Sequence, residues 1–324
     1  MPPLEGPRPV ADPARLAALS AELVRLGGAD AAKLRLGVAV SGGPDSMALL
    51  HLLQHLTLSA LETATVDHGL RAGAAAEAAM VAQYCGVQGV PHRTLKPATP
   101  LKTSLQAAAR TVRYALLEEW RLERGLDFIL TAHHADDQAE TLIMRLNRGS
   151  GIGGLSGIRA RNGTVLRPLL NWRRAELDDI VRHAGLPTVT DPSNRDVRFD
   201  RSRVRAALAT AQILDPPAAQ LSAALISDAN DALDWAAMQV IANWPDGDDH
   251  TVMRDGPWPA EIGWRILHAR LVGFHGNTDP NQKQLLAAIA ALRCGKKCSL
   301  GPVLLTPDRK HPSLWRLALA PPRR

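Results

Sequence analysis

The sequence predicts an α/β fold with a mostly parallel sheet, followed by a smaller, mostly helical C-terminal region. Two observations predict the sheet. Short apolar runs alternate with alanine-rich segments of helical period, and a glycine turn joins the first run directly to a helix. Strands separated by helices pair in parallel through right-handed crossovers, so ligands are expected beyond the carboxyl ends of the strands.

The elements follow in a regular order after an amphipathic helix over Pro13 to Leu26. The predicted strands are Leu34 to Val40, Glu62 to Val66, Pro91 to Leu95 and Asp127 to Thr131. The predicted helices between them are Ser46 to His55, Ala74 to Tyr84 and Ser104 to Arg124. Each strand segment is too short and too apolar for a surface helix, which favours the strand interpretation.

The pattern changes after about Asp200, which predicts a second region. An alanine-rich helix is predicted from Pro217 to Ile241, and short strands at Val303 to Thr306 and Leu314 to Leu319 end the chain. We therefore expect domains at 1–213 and 214–324. The amphipathic placement of Trp172, Trp235 and Trp264 predicts that these rings are buried in cores.

Composition excludes several classes of protein. The three cysteines, Cys85, Cys294 and Cys298, are too few and too unevenly spaced for a disulfide framework, so we expect free thiols and a cytoplasmic protein. No stretch approaches the roughly 20 apolar residues that span a bilayer. The net charge of +6 favours a polyanionic partner only weakly.

The positive charge is concentrated in one segment. Thr141 to Thr210 contains 13 arginines and no lysine against six acidic residues, a net charge of +7. Arginine suits phosphates and stacked bases, which makes this segment a candidate RNA-facing surface. A solvated helical surface with scattered ion pairs explains the same composition, and both interpretations stay open here.

The strongest single motif runs from Gly37 to Leu50, where a buried strand passes through Ser41-Gly-Gly-Pro-Asp-Ser46 into a helix. Two glycines let the backbone approach a phosphate closely, and the free amides and dipole of the helix face the anion. The loop has neither the lysine of a Walker motif nor the spacing of a dinucleotide fingerprint. Asp45 would repel phosphate oxygens unless Mg²⁺ lies between them. The alternative is an ordinary glycine turn before a helix.

The loop resembles that of the PP-loop ATP pyrophosphatase superfamily, with its adenine nucleotide alpha hydrolase-like fold. Four further motifs make 15–210 resemble the tRNA(Ile)-lysidine synthetase family. They are Val66-Asp-His-Gly-Leu-Arg71, Ala132-His-His-Ala-Asp-Asp-Gln-Ala-Glu-Thr141, Asn147-Arg-Gly-Ser-Gly151 and Asp191-Pro-Ser-Asn194. One departure is Ser202, since the family usually has asparagine after the arginine at that place.

The resemblance implies an ATP-dependent ligase. Its members activate the C2 carbonyl of the wobble cytidine of tRNA(Ile) with a CAU anticodon, and free L-lysine then displaces AMP to form lysidine. By resemblance, the pyrophosphate of ATP is held by Ser41, Gly42, Gly43, Pro44, Asp45 and Ser46. Asp67, His68 and Arg71 would lie beside the nucleotide. Region 214–324 would either contact tRNA or only brace the catalytic domain, and a homodimer is possible because relatives are often dimers.

The chemistry also needs carboxylates, because neutralising lysine's amine at pH 7 costs roughly 4 to 5 kcal/mol and requires a proton acceptor. A helix from Ala135 to Asn147 would present Asp136, Asp137 and Glu140 for Mg²⁺ or lysine, with Mg²⁺ expected at Asp45 and Asp137. Which carboxylate serves which ligand stays open. Arg148 is expected to meet the leaving phosphate or the tRNA backbone, and the predicted tRNA-contacting cluster is Arg201, Arg203 and Arg205.

Three other functions compete with this one. His133 and His134 beside two aspartates are also compatible with a metallophosphoesterase, although neighbouring residues at a strand end point in opposite directions. A tRNA thiolase of the same superfamily would need reactive or cluster-binding cysteines near the nucleotide, whereas Cys85 is predicted to lie on a buried helix face. A non-catalytic RNA-binding module would leave the loop and carboxylates unexplained.

Overall fold

A computed structural model describes residues 11–69, 73–98, 106–189, 200–211, 213–244 and 249–320. Arg71 and the motif Asp191 to Asn194 lie outside these ranges. The contacts divide the chain into two compact units, Met1–Ser227 and Asp228–Arg324. The division falls within one helix, and the boundary at 213/214 stays a prediction about separate domains.

The first unit is built on a six-stranded sheet in the order β3-β2-β1-β4-β6-β5. All strand pairs are parallel except β5 with β6. The strands are β1 (Arg35–Ala39), β2 (Ala60–Val66), β3 (His92–Leu95), β4 (Phe128–Leu130), β5 (Arg161–Asn162) and β6 (Val165–Leu166). This confirms the predicted α/β fold with a mostly parallel sheet.

Helices alternate with these strands. They are α1 (Pro13–Gly27), α2 (Pro44–Gln54), α3 (Ala74–Val87), α4 (Gln106–Arg124), α5 (Ala135–Leu146), α6 (Ile152–Leu155), α7 (Arg174–His183), α8 (Asp200–Ala211) and α9 (Pro216–Ala242), which continues into the second unit. Local signals set their ends. Asp12 accepts a hydrogen bond from the Ala14 amide at 2.9 Å, and Gly28 ends α1 in the left-handed conformation.

The core of the first unit surrounds β1, which pairs with β2 on one side and β4 on the other. Leu36 and Val38 are fully buried, and so is the middle of α2. A Cβ atom on Gly37 would lie 2.7 Å from the Trp120 ring, so glycine is required for α4 to pack on β1. The strand order reverses at β1 and β4, and this is where ligands bind in open α/β sheets.

The second unit contains α10 (Ala260–Phe274), α11 (Gln282–Arg293) and a four-stranded antiparallel sheet. Its strands, in the order β7-β10-β9-β8, are β7 (Val252–Arg254), β8 (Cys298–Leu300), β9 (Val303–Pro307) and β10 (Leu314–Leu319). The core includes Met253, Leu267 and Trp315. The two predicted strands are confirmed as β9 and β10, while the three-residue strands β7 and β8 were not predicted.

Tryptophan burial follows the prediction only in part. Trp172 is buried, and Trp264 packs half-buried against the core of the second unit. Trp235 is 65% exposed on α9, so its predicted burial was wrong. Helix α9 is rich in alanine and apolar around much of its circumference, and this composition hides which face is covered. No helix in the described ranges is both long and apolar enough to cross a bilayer.

Candidate active site

The glycine loop after β1 has a backbone that only glycine fits. Gly42 has a φ of 81°, in the left-handed region, and its carbonyl accepts a hydrogen bond from the Val189 amide at 2.9 Å. A Cβ atom there would lie 3.0 Å from the Val189 side chain and 3.2 Å from Met80. The loop is therefore held against the segment after α7 as well as against α3.

Serine hydroxyls fix the rest of the loop. The Ser46 hydroxyl donates to the Gly43 carbonyl at 3.0 Å and accepts from the Ser41 amide at 3.2 Å. Helix α2 starts at Pro44, directly behind an extended Gly43. The first amides of a helix have no partner within it, and the helix dipole is positive at this end. The loop thus has the geometry of an anion site.

A cleft of about 600 Å³ opens beside the loop, and we call it the nucleotide cleft. Its lining includes Ser41, Gly43, Asp45 and Ser46 of the predicted phosphate loop. Helix α4 adds Arg110, Arg113, Tyr114 and Leu117. None of these α4 residues was predicted, although Arg110, Arg113 and Tyr114 stand at i, i+3 and i+4, the spacing of one helix face.

The loop meets the end of β4 at a cluster of charged side chains, the carboxylate cluster, formed by Asp45, His134, Asp136 and Asp137. The buried His134 imidazole lies 3.6 Å from a carboxylate oxygen of Asp45 and 3.5 Å from oxygens of Asp136 and Asp137. The structure thus brings together three carboxylates predicted from two separate motifs.

Ionisation within the carboxylate cluster is mutually stabilised. Burial lowers the pKa of His134, but the carboxylates of Asp136 and Asp45 outweigh it and raise this pKa to about 10. Burial raises the pKa of Asp136 and of Asp137, and the charged His134 and other neighbours reverse this and leave both lowered. Asp136 and Asp137 are therefore ionised and His134 is an imidazolium at neutral pH.

Glu140, one helical turn further along α5, is bound by two arginines. Its oxygens accept hydrogen bonds from Arg201 Nε at 2.7 Å and from Arg205 Nε at 2.5 Å, and its side chain is 4% exposed. Arg201 also donates to Asp137 at 2.7 Å. These contacts join α8 to α5. Two of the three arginines predicted to contact tRNA thus lie against the predicted catalytic carboxylates.

The third arginine and Arg148 lie at the surface. Arg203 and Arg148 both pair with Asp200, and in the Arg148 pair the two atoms are 3.3 Å apart. All three side chains are more than half exposed. The predicted tRNA cluster therefore separates into an inner pair and one surface residue.

His133 lines the nucleotide cleft together with Asp45 and Asp137. Its Nδ1 lies 2.9 Å from the Thr131 hydroxyl, and burial, opposed by Asp137 and reinforced by Arg167, lowers its pKa to about 4. At neutral pH His133 is thus neutral and His134 is cationic. In the part of the chain that the structure describes, no three His, Cys, Asp or Glu side chains form a metal site by themselves.

Asp67 and His68 follow β2 but are absent from the lining of the nucleotide cleft. The Asp67 carboxylate is buried, accepts a hydrogen bond from the Gly69 amide at 2.9 Å and lies 3.6 Å from Lys96 Nζ. Burial and the charge of Arg113 lower the pKa of His68, although Asp67 opposes them. Their predicted contact with the nucleotide stays a prediction.

The carboxylate cluster fits Mg²⁺ bound together with a phosphate ligand. Oδ1 of Asp45 is buried and has no hydrogen-bond partner in the described chain, and Asp137 is next to the same imidazolium. Mg²⁺ is usually bound through one or two carboxylates, with phosphates and waters completing its shell. A magnesium site of this kind is therefore expected to have too few protein ligands to form a complete metal site by itself.

Comparison with known proteins agrees with this geometry. The PP-loop domain family matches residues 16–212. A tRNA(Ile)-lysidine synthase of Novosphingobium aromaticivorans is 42% identical over 301 residues, 90% of each chain. One of Zymomonas mobilis is 38% identical over 302 residues, again 90% of each.

A solved structure shows the same fold at lower similarity. It is a U34-tRNA thiolase of Methanococcus maripaludis with its 4Fe-4S cluster, which superposes with a TM-score of 0.53 at 18% identity. The match covers 64% of this chain and 76% of the thiolase. The chain has a PP-loop domain and belongs to the tRNA(Ile)-lysidine synthase family.

Proposed function

We propose that this protein ligates free L-lysine to C2 of the wobble cytidine of tRNA(Ile) with a CAU anticodon, at the expense of ATP. One observation carries the proposal. In a chain of this family, the glycine loop Ser41 to Ser46 lies directly beside the carboxylate cluster. The first step needs the loop and the second needs a proton acceptor, and both lie within one site.

In the first step the C2 oxygen of cytidine attacks the α-phosphate of ATP, and pyrophosphate leaves. Ser41, Gly43 and Ser46 would shape the loop that holds the departing pyrophosphate. Hydrogen bonds within the loop fix its backbone, and the free amides at the start of α2 would face the anion without rearrangement during the reaction. Arg110 and Arg113 of α4 offer positive charge from the opposite side of the nucleotide cleft.

Asp45 and Asp137 would hold Mg²⁺. When bound, the ion would neutralise charge on the phosphates. The His134 imidazolium lies 3.6 Å from a carboxylate oxygen of Asp45 and 3.5 Å from one of Asp137, so the site is organised before ATP arrives.

In the second step the amine of lysine attacks C2, AMP leaves and a carboxylate takes the amine proton. A second cleft of about 560 Å³, which shares Arg205 with the nucleotide cleft, suits free lysine because acids, arginines and apolar groups all line it. Asp136 would receive the amine, Arg174 the carboxylate of lysine, and Leu208 and Leu214 its alkyl chain.

Asp136→Asn is expected to raise KM for lysine more than tenfold and to leave ATP–pyrophosphate exchange near the wild-type rate. A loss of exchange equal to the loss of ligation would contradict this assignment.

Cysteine placement disfavours the thiolase alternative. Cys85 is buried, receives a hydrogen bond from the Thr63 hydroxyl, and its thiol pKa is raised by burial. The other two cysteines belong to the second unit, and no cysteine is among the described residues of the nucleotide cleft. The likeness to the thiolase structure supports the fold alone.

The direct test is transfer of labelled lysine into tRNA(Ile) with a CAU anticodon, in the presence of ATP and Mg²⁺. We expect ATP-dependent incorporation that falls at least about 10³-fold in Asp45→Asn, since the cation site loses a charge at the phosphates. Asp179→Asn, at an exposed carboxylate of α7, is the matched control. Wild-type protein that consumes ATP with tRNA but incorporates no lysine would overturn the proposal.

Three finer points stay predictions. They are a tRNA contact by region 214–324, a homodimer and a cytoplasmic location.

A further inference from the structure

A third cleft, of about 390 Å³ and lined by positively charged side chains, adjoins the catalytic residues. We call it the arginine cleft. Six of its lining residues are arginines, and no acidic residue of the described chain lines it. These arginines are Arg110, Arg145, Arg148, Arg159, Arg167 and Arg201. They come from α4, α5, α8 and the segment around β5 and β6, so folding collects them from distant parts of the sequence.

Arg167 is the most informative of the six, because it is a buried cation with no acidic partner among the residues that the structure describes. It is 4% exposed, and its guanidinium donates to the Arg159 carbonyl at 2.7 Å and to the Tyr114 hydroxyl at 3.5 Å. Its Nε has no hydrogen-bond partner within the described ranges. Burying a charge among neutral groups is costly unless an opposite charge arrives. Arg167 therefore points to an anionic ligand.

Two neighbours have the same character. Arg110 stacks on the Tyr114 ring at 5.0 Å and has no ion pair with a described carboxylate. The exposed side chain of Arg145 makes neither a hydrogen bond nor an ion pair with any residue that the structure describes. Arg201, by contrast, is already neutralised by Asp137 and Glu140. The unneutralised charge lies on the side of the cleft away from the carboxylate cluster.

The arginine cleft is continuous with the nucleotide cleft. Arg110, His133 and Arg201 line both. An anion held beside Arg167 would thus lie next to the place where ATP is activated. An RNA strand fits this arrangement. The nucleotide that reacts with ATP enters the nucleotide cleft, and its neighbours in the strand remain outside that cleft.

We propose that the arginine cleft binds the sugar-phosphate backbone of the RNA strand next to the reacting cytidine, with a phosphate at Arg167 and a neighbouring one at Arg145. This rests on the proposed function, since it assigns a surface to that function's RNA substrate. The contacts are to phosphates and carry no base specificity. They position the strand, and the nucleotide cleft selects the base.

The test uses the full-length protein and an RNA hairpin that carries the anticodon loop with CAU. Arg145→Gln changes an exposed residue, Arg145→Lys keeps its charge, and Arg182→Gln removes a similarly exposed arginine on α7 as the control. We expect Arg145→Gln to weaken hairpin binding about fivefold to tenfold at 0.1 M salt and to make the slope of log K against log salt shallower by about 0.7 to 0.9. Arg145→Lys and the control should bind within twofold of wild type.

A hairpin with a different anticodon loop should show the same fold loss, because phosphates are common to both. The proposal is overturned if Arg145→Gln binds like Arg182→Gln, if the loss is confined to the CAU hairpin, or if the wild-type protein does not bind the hairpin. Failure of the proposed function looks different: hairpin binding still falls in Arg145→Gln while the wild-type protein transfers no lysine.

Discussion

Helix α5 carries opposite charges at its two ends, and the two ends differ in how their charges are satisfied. At the first turns, Asp136, Asp137 and Glu140 each have cationic or amide partners within the protein. At the other end, Arg145 in the last turn has no partner among the described residues, and Arg148 just beyond the helix has one exposed partner. Charges that are already partnered are fixed before substrate binds, whereas charges without partners are available to a ligand.

The arrangement also suits the helix. Acidic side chains at the N-terminus and arginines at the C-terminus both interact favourably with the helix dipole, by about 0.3–1 kcal/mol each at exposed sites. One element can therefore serve two clefts of opposite charge without loss of its own stability. We propose that the acid end serves ATP and lysine chemistry and that the basic end binds RNA.

The largest expected effect tests the partnered end. Glu140→Gln removes the carboxylate that Arg201 and Arg205 share and leaves them only Asp137, so we expect a loss of about 2–3 kcal/mol in the free energy of unfolding, moderated by the partial exposure of both arginines. Arg145→Gln should change it by less than about 0.5 kcal/mol. Urea unfolding of both variants measures the difference. Equal losses would show that the two ends are not partnered differently.

A smaller effect sharpens the contrast inside the acid end, where the two adjacent histidines titrate in opposite directions. His133, with a pKa lowered to about 4, is neutral in the folded protein above that pH. Its contribution to stability is therefore lost as pH falls from about 6.5 to 4. His134, with a pKa raised to about 10, contributes fully below 6.5 and loses this contribution as pH rises to about 10. Each slope is at most about 1.4 kcal/mol per pH unit.

Thermal unfolding across this range, without Mg²⁺, measures both slopes. His133→Asn should flatten the acid side and His134→Asn the alkaline side, while His183→Asn on exposed α7 should leave the profile unchanged. If both histidine variants changed the same side, the assigned charge states would be wrong.

Local pattern was enough for much of the fold. The four predicted strands and the predicted helices of the first unit appeared within a few residues of their predicted ends, because apolar period and glycine turns act over short distances. The short strands β5 and β6 and the helices α6, α7 and α8 were not predicted. The loop at Ser41 and the carboxylates of α5 were identified in the same way. The switch between β1 and β4 then brings the two motifs together, as parallel topology requires.

Partners distant in sequence were not predictable. Arg201 and Glu140 are 61 residues apart, and no local rule pairs them, so Arg201 and Arg205 were expected at an RNA surface. Arg167 is one of 13 arginines in a basic segment, and its sequence does not reveal that it is buried. Helix α4 was predicted correctly, yet its contribution to the nucleotide cleft depends on how it packs against Gly37.

The central claim is that the acid end of α5 carries chemistry and the basic end carries RNA binding. The most direct measurement compares Asp45→Asn and Arg145→Gln for hairpin affinity and for the single-turnover rate of lysine transfer at saturating tRNA. We predict that Asp45→Asn loses the rate and keeps its affinity, and that Arg145→Gln loses affinity and keeps most of its rate. If both variants lost rate and affinity together, the two ends would form one undivided site and the account would be contradicted.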